Sequence, residues 1–232
     1  FVIVGILTDI SSSLHITNAK AGTLVSAFAI TFAIATPLVM SATSHFPKRK
    51  WMLVLIGSFI ILNALCVIST TYVMLLALRM MTAIVTGVLI SLAMIVASEN
   101  MPIAKRGLAI SFVFGGFTLA NVIGVPIGTV IAERYDWNAT FLLTTFLGAI
   151  AFLASFFILP TMHSPFRSSM RDQFSLLTHP RILMAFFIPS LGFGATYAVY
   201  TYLVPILKGM EAPSGSISWI LFGYGFISIF SN

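Results

Sequence analysis

Apolar residues run through the chain in blocks about as long as a bilayer crossing, separated by short polar stretches. A membrane-spanning helix needs about 20 consecutive apolar residues. Eight blocks fit: residues 1–10, 22–43, 51–69, 72–97, 107–131, 138–159, 182–206, and one that starts near 216. Strands of a membrane barrel are shorter and alternate apolar with polar, a pattern these blocks lack. The expectation is an all-α polytopic membrane helix bundle.

Composition agrees. The chain has 232 residues, 59% hydrophobic and 8% charged, against about 25% charged in a soluble domain. A net charge of +6 invites a nucleic-acid reading, but the basic residues collect in a few short loops, as in membrane topology. Lys48, Arg49, Lys50, Lys105, Arg106, Arg167, Arg171 and Arg181 fall on one side, and Lys20, Arg134 and Lys208 on the other. Eight against three places the richer side, and an N-terminus ahead of Phe1, in the cytoplasm. The chain opens on FVIVGILTDI with no initiating Met and half an apolar run, and its last run is short. We expect a piece of a longer protein, truncated at both ends. Residues 1–159 form a six-helix bundle whose first span is cut. Residues 160–181 form a cytoplasmic link with a short interfacial helix around 169–178. Residues 182–232 begin a second bundle with spans 7 and 8.

Span 5 carries the stretch GGFTLANVIGVPIGT. Gly116, Ala120, Gly124 and Gly128 recur at spacing four, a face on which another helix approaches closely. Pro126 cannot donate to the carbonyl of Val122, so a bend is expected there. Thr118 and Asn121 add polar groups near mid-depth. Arg79 is the one charged residue deep in a span, seven residues or about 10 Å from Tyr72. Such a residue faces a partner or cavity, or snorkels to the interface. Asp9 is its natural partner, toward the same end of span 1. An acid beside Arg79 keeps its charge, and when the arginine moves away an apolar setting favours the protonated form. That alternation carries a proton; alternatively Asp9 merely ends a helix near water. In span 7, Tyr197, Tyr200 and Thr201 share a face suited to a cavity for amphipathic or sugar-like solutes, or to an interfacial aromatic belt.

With these residues in view, GVPIGT resembles motif C of the drug:proton antiporters of the major facilitator superfamily, matched by Gly124, Pro126 and Gly128. LALRMMTAIVTG is similar to motif B through Arg79 and Gly87, and ILTDISSSLHITNAKAGTLVSAFAITFAIATPL resembles the first two spans of the sugar and nucleoside efflux branch. AKRGLAI and YDWNATF stand where that branch has counterparts, so the likeness covers the chain to about residue 160. Motif A departs: Met40, Ser44, His45 and Pro47 replace its Gly, Asp, Arg and second Gly, and Lys48 and Arg49 persist as the cytoplasmic gate loop. The loss argues against an Asp-based latch there. Asn138 replaces an Arg usual after the Trp. The resemblance implies a major facilitator fold, a link between the motif B arginine and proton transfer, a monomer, and often a further acid just ahead of the position of Phe1.

The functional expectation is a secondary transporter in a bacterial inner membrane, exporting sugars, nucleosides or amphipathic drugs by proton antiport through alternating access. Its partners are a small-molecule substrate, protons and lipid, with no nucleic acid. An uncoupled carrier and a non-transporting membrane sensor are the alternatives. No enzyme is expected, because no His, Asp or Glu cluster stands near a span end and Ser11–Ser13 have no nearby base. No cofactor or metal is expected either: the histidines have no ligand spacing, Cys66 lies alone in an apolar run, and no Gly loop is followed by Lys-Ser/Thr.

Overall fold

The computed structural model describes residues 3, 5–159, 175, 178–210, 219–221 and 223. Every long element among them is helical. A short helix α1 (Leu7–Ser13) leads into α2 (Asn18–Ala42), α3 (Lys48–Val67), α4 (Tyr72–Glu99), α5 (Arg106–Arg134) and α6 (Trp137–Ile158). α7 (Pro180–Gly209) follows. Among the described residues five helices, α2 to α6, are long and apolar enough to cross a membrane. The expected interfacial helix at 169–178 and most of the eighth span lie outside the described residues.

The helices outrun the apolar blocks that mark them. α2 starts at Asn18 rather than residue 22, because Thr17 caps it, its hydroxyl accepting from the Lys20 amide at 3.2 Å. Thr71 caps α4 in the same way through the Met74 amide at 3.3 Å. Such caps satisfy orphan amides of the first turn, so the helix extends through the polar interface where hydropathy no longer reports it. α3 begins at Lys48 rather than residue 51, which corrects the expectation that Lys48 and Arg49 lie in a loop. α5 runs unbroken through Pro126 from Arg106 to Arg134.

α3 lies along both α4 and α6, α2 along α4, and α5 against α4 and α6. Glycine sets two of these crossings. A Cβ at Gly87 of α4 would collide with the Thr36 hydroxyl and lie 3.1 Å from Thr36 Cβ. A Cβ at Gly148 of α6 would come within 3.1 Å of Ile60 on α3. Removing side chains at such points lets backbones approach, the main source of helix association in lipid. The buried apolar residues form two clusters, one toward each end. The first joins Ile6, Ile10, Leu24, Leu75, Val125 and Phe141. The second joins Met40, Leu55, Val88, Leu92 and Val96. Polar side chains between them turn back on their own helices: the hydroxyls of Thr82, Thr86 and Ser91 donate to the carbonyls of Leu78, Thr82 and Gly87. No water competes for these groups in lipid, so bonds within the helix are the available solution.

The Gly87 crossing gives a direct test. Gly87→Ala is expected to destabilise by about 1–3 kcal/mol through overpacking and to lower Tm in detergent by several degrees. Adding Thr36→Ala should recover much of the loss. Equal Tm values for parent, single and double variants would show that α2 and α4 do not meet closely at this point.

Candidate functional site

Arg79 occupies the third turn of α4, on the buried face that also presents Leu75, Leu78, Thr82 and Ala83. That face is read off the 3.6-residue period. Only 6% of Arg79 is exposed, so its head does not snorkel to the surface. The guanidinium carbon lies 4.6 Å from the centroid of the Phe28 ring on α2 and 6.0 Å from that of Phe141 on α6. Each ring face attracts a cation, by about 0.5–2 kcal/mol depending on desolvation. Nε of Arg79 finds no hydrogen-bond acceptor. The arrangement is a cation clad in aromatic rings, with Cys66 of α3 in the adjoining cluster.

Asp9 is not brought to it. Arg79 makes no ion pair with Asp9 in this structure. Asp9 instead lines a recess of roughly 630 Å³ at the end of the bundle where α1 stops and α5 turns into α6. Glu133, Arg134 and Asp136 line the same recess with Ser12 and Ser13. Half of the six carboxylates in the whole chain therefore share one mouth with a single arginine, and the local field favours cations.

Span 5 divides along its length. The Thr118 hydroxyl donates to the Phe114 carbonyl at 3.1 Å, and the Asn121 amide to the Phe117 carbonyl at 3.1 Å. Both therefore meet part of their polar demand within α5. Gly116 is exposed and a Cβ there would meet nothing within 4 Å, so among the described residues no helix approaches that end of the glycine face. At the other end Pro126, Gly128 and Thr129 are buried, and the Gly128 carbonyl accepts from the Thr140 hydroxyl of α6 at 3.3 Å. Gly124, between them, is half-buried. Residues Tyr197, Tyr200 and Thr201 fall on α7, and their side chains lie outside the described residues.

At the far end of the bundle Lys48 is buried and pairs with Glu99, the last residue of α4. The guanidinium of Arg49 donates to the Phe156 carbonyl at 2.8 Å, tying the start of α3 to the end of α6. Sequence reasoning missed Glu99, Phe156, Phe28 and Phe141. Depth held a usable signal. Counting about 1.5 Å per residue from the helix ends sets Phe28 and Phe141 within about a turn or so of the level of Arg79.

The Major Facilitator Superfamily model matches residues 1–232, the whole chain. The chain belongs to that superfamily. Among curated relatives, the uncharacterized MFS-type transporter YtbD of Bacillus subtilis (strain 168) is 34% identical over 234 residues, with all of this chain and 59% of that protein covered. The inner membrane transport protein YdhP of Escherichia coli (strain K12) is 31% identical, with 96% of this chain and 58% of the relative covered. A chloramphenicol resistance protein of Streptomyces lividans is 29% identical, with 97% and 59% covered. The chain thus spans about three fifths of the length of the relatives it matches. It is a multi-pass membrane chain built as a major facilitator helix bundle.

The Lys48–Glu99 pair in this bundle is open to mutation. Removing the acid strands a buried ammonium, a change that costs about 3–5 kcal/mol when both partners are buried. Glu99 keeps 36% side-chain exposure, so Glu99→Gln should fall below that range while still lowering Tm measurably. The exchange Lys48→Glu with Glu99→Lys is expected to restore part of the loss. A double exchange no better than the sum of its single changes would show that the charges do not couple.

Proposed function

We propose that this chain forms the greater part of a secondary exporter that moves sugars, nucleosides or amphipathic drugs outward by proton antiport, through alternating access. The observation that carries the reading is the buried Arg79, a membrane charge without a carboxylate beside it. A cation at such depth costs about 2.5–3.5 kcal/mol on insertion scales, and its uncompensated Nε leaves a place for an acceptor that comes and goes. Asp9 is the carboxylate proposed to alternate with it. The chloramphenicol resistance protein among the relatives supports export, and an amphipathic solute.

In this reading Thr118, Asn121, Tyr197, Tyr200 and Thr201 line the solute path. Gly116, Gly124, Pro126 and Gly128 give α5 its hinge surface, and Lys48 and Arg49 brace the cytoplasmic end. Residues 160–181 join two bundles. The protein is a monomer in a bacterial inner membrane with its N-terminal side in the cytoplasm, as the basic loops direct. An uncoupled carrier is the second reading, favoured by one observation: among the described residues no ion pair joins Asp9 to Arg79.

Everted membrane vesicles holding the complete gene product decide between them. With an imposed proton gradient and a pH-sensitive dye, chloramphenicol, sugars, nucleosides and lipophilic cations are added in turn. Proton antiport predicts that one class dissipates the gradient, and that Arg79→Ala abolishes the response with protein still in the membrane. Solute flux with no proton movement establishes the uncoupled carrier. Unchanged coupled export by Arg79→Ala removes Arg79 from the mechanism.

A further inference from the structure

We infer that Phe28 and Phe141 are positioning residues for proton coupling: their ring faces form the station where Arg79 rests when no carboxylate is beside it, and Trp137 joins that station to the recess that holds Asp9. The inference rests on the carrier reading above, in which Arg79 exchanges partners.

A buried guanidinium that gives up a carboxylate needs somewhere to go. A bare cation in an apolar setting is costly. Two rings, from two different helices, meet that need. Phe28 on α2 lies 4.6 Å from the guanidinium carbon and Phe141 on α6 lies 6.0 Å from it. Both fall within the roughly 6 Å over which a ring face attracts a cation. No described side chain offers Nε an acceptor. Ring faces are therefore what the described residues supply to this charge in place of an anion.

Neither ring is free to choose its own place. Phe28 stacks on Phe32, one turn further along α2, with centroids 6.2 Å apart and planes inclined by 26°. Phe32 sits at the α2–α4 crossing, where one of its ring carbons would lie 3.4 Å from a Cβ on Gly87. The crossing of two helices thereby sets the ring that faces Arg79. Phe141 is buried, and Trp137, one turn earlier on α6, meets it edge to face at 5.9 Å and 88°. Trp137 also lines the recess with Asp9, Glu133 and Asp136. The contacts run in series from the recess through Trp137 and Phe141 to Arg79. In the proposed exchange the guanidinium leaves a ring face to meet the carboxylate. Weaker ring faces make the departed position costlier, so Arg79 stays longer with its carboxylate and the exchange turns over less often.

The test changes charge distribution at nearly constant shape. Mono-, di- and trifluorophenylalanine are placed in turn at position 28 of the complete gene product, because each fluorine drains electron density from the ring face while adding little volume. Coupled export in the vesicle assay should fall stepwise along the series. Phe28→Leu should lower it by about twofold to thirtyfold, the loss of one ring face. The same three residues at position 32 should leave export at the parent's rate, since the guanidinium faces Phe28. A second readout needs no solute. The Arg79 Nε–H resonance of nitrogen-labelled protein, assigned by its loss in Arg79→Lys, should move along the fluorinated Phe28 series. That series keeps the proposal testable should Phe28→Leu fail to fold. Parent-like export by the trifluoro protein at position 28 overturns the inference. So does an equal fall for the position 32 series, or an Nε–H resonance that stays in place. The carrier reading fails separately, if no solute of the vesicle series crosses; the resonance then decides alone whether the rings hold Arg79.

Discussion

A guanidinium held away from water constrains everything around it. Arg79 cannot reach the interface from its depth, and the bilayer offers it no solvent, so α4 must turn this residue inward and the neighbouring helices must supply what water would have supplied. Phe28 from α2 and Phe141 from α6 provide ring faces, and the surrounding cluster is built on Leu75, Leu78 and Cys66. Four helices are thereby committed to one point. A bulky aliphatic residue at either aromatic position would keep the apolar packing but leave the cation in a medium that does not solvate it.

The same scarcity of solvent explains the smaller features. Hydroxyls along α4 and the amide of Asn121 bond to carbonyls of their own helices, which lets polar residues sit at depth without a partner on another helix. Lys48 is buried with Glu99, from the end of α4, as an ion-pair partner. Arg49 reaches a backbone carbonyl that α6, at its last turn, leaves unpaired. Where helices must touch without polar groups, glycine permits the approach, at Gly87 and Gly148.

The long helices and the inward position of Arg79 were legible in the sequence because both follow from hydropathy and spacing along one chain segment. What lies between segments was not. Hydropathy saw Lys48–Lys50 as the end of an apolar block, yet the Glu99 carboxylate lets α3 start there. The glycine face of α5 has one period in sequence and two environments in space: Gly116 opens outward while Gly128 is buried against α6. Spacing within α5 carries no information about where its neighbours stop. Phe28 and Phe141 stayed hidden for a related reason, since the chain holds 21 phenylalanines and only tertiary packing distinguishes the two that face a cation.

The proposed exchange of partners at Arg79 places a demand on α1. Asp9 lines the recess beside Glu133 and Asp136, whereas Arg79 lies among aromatic rings, and Ile10, Leu75 and Leu78 are packed in the cluster beside it. Asp9 can approach only if α1 slides or turns relative to α4. α1 is seven residues long, too short to be fixed by its own propagation, and the chain just before it is held by α5: a Cβ at Gly5 would collide with the Thr129 hydroxyl. Thr129 follows Gly128 directly. The α5 turn at Val125 and Thr129 therefore packs directly on the segment that leads to Asp9. The glycine-proline stretch and the carboxylate, unrelated along the sequence, act in the proposed cycle as one mechanical unit.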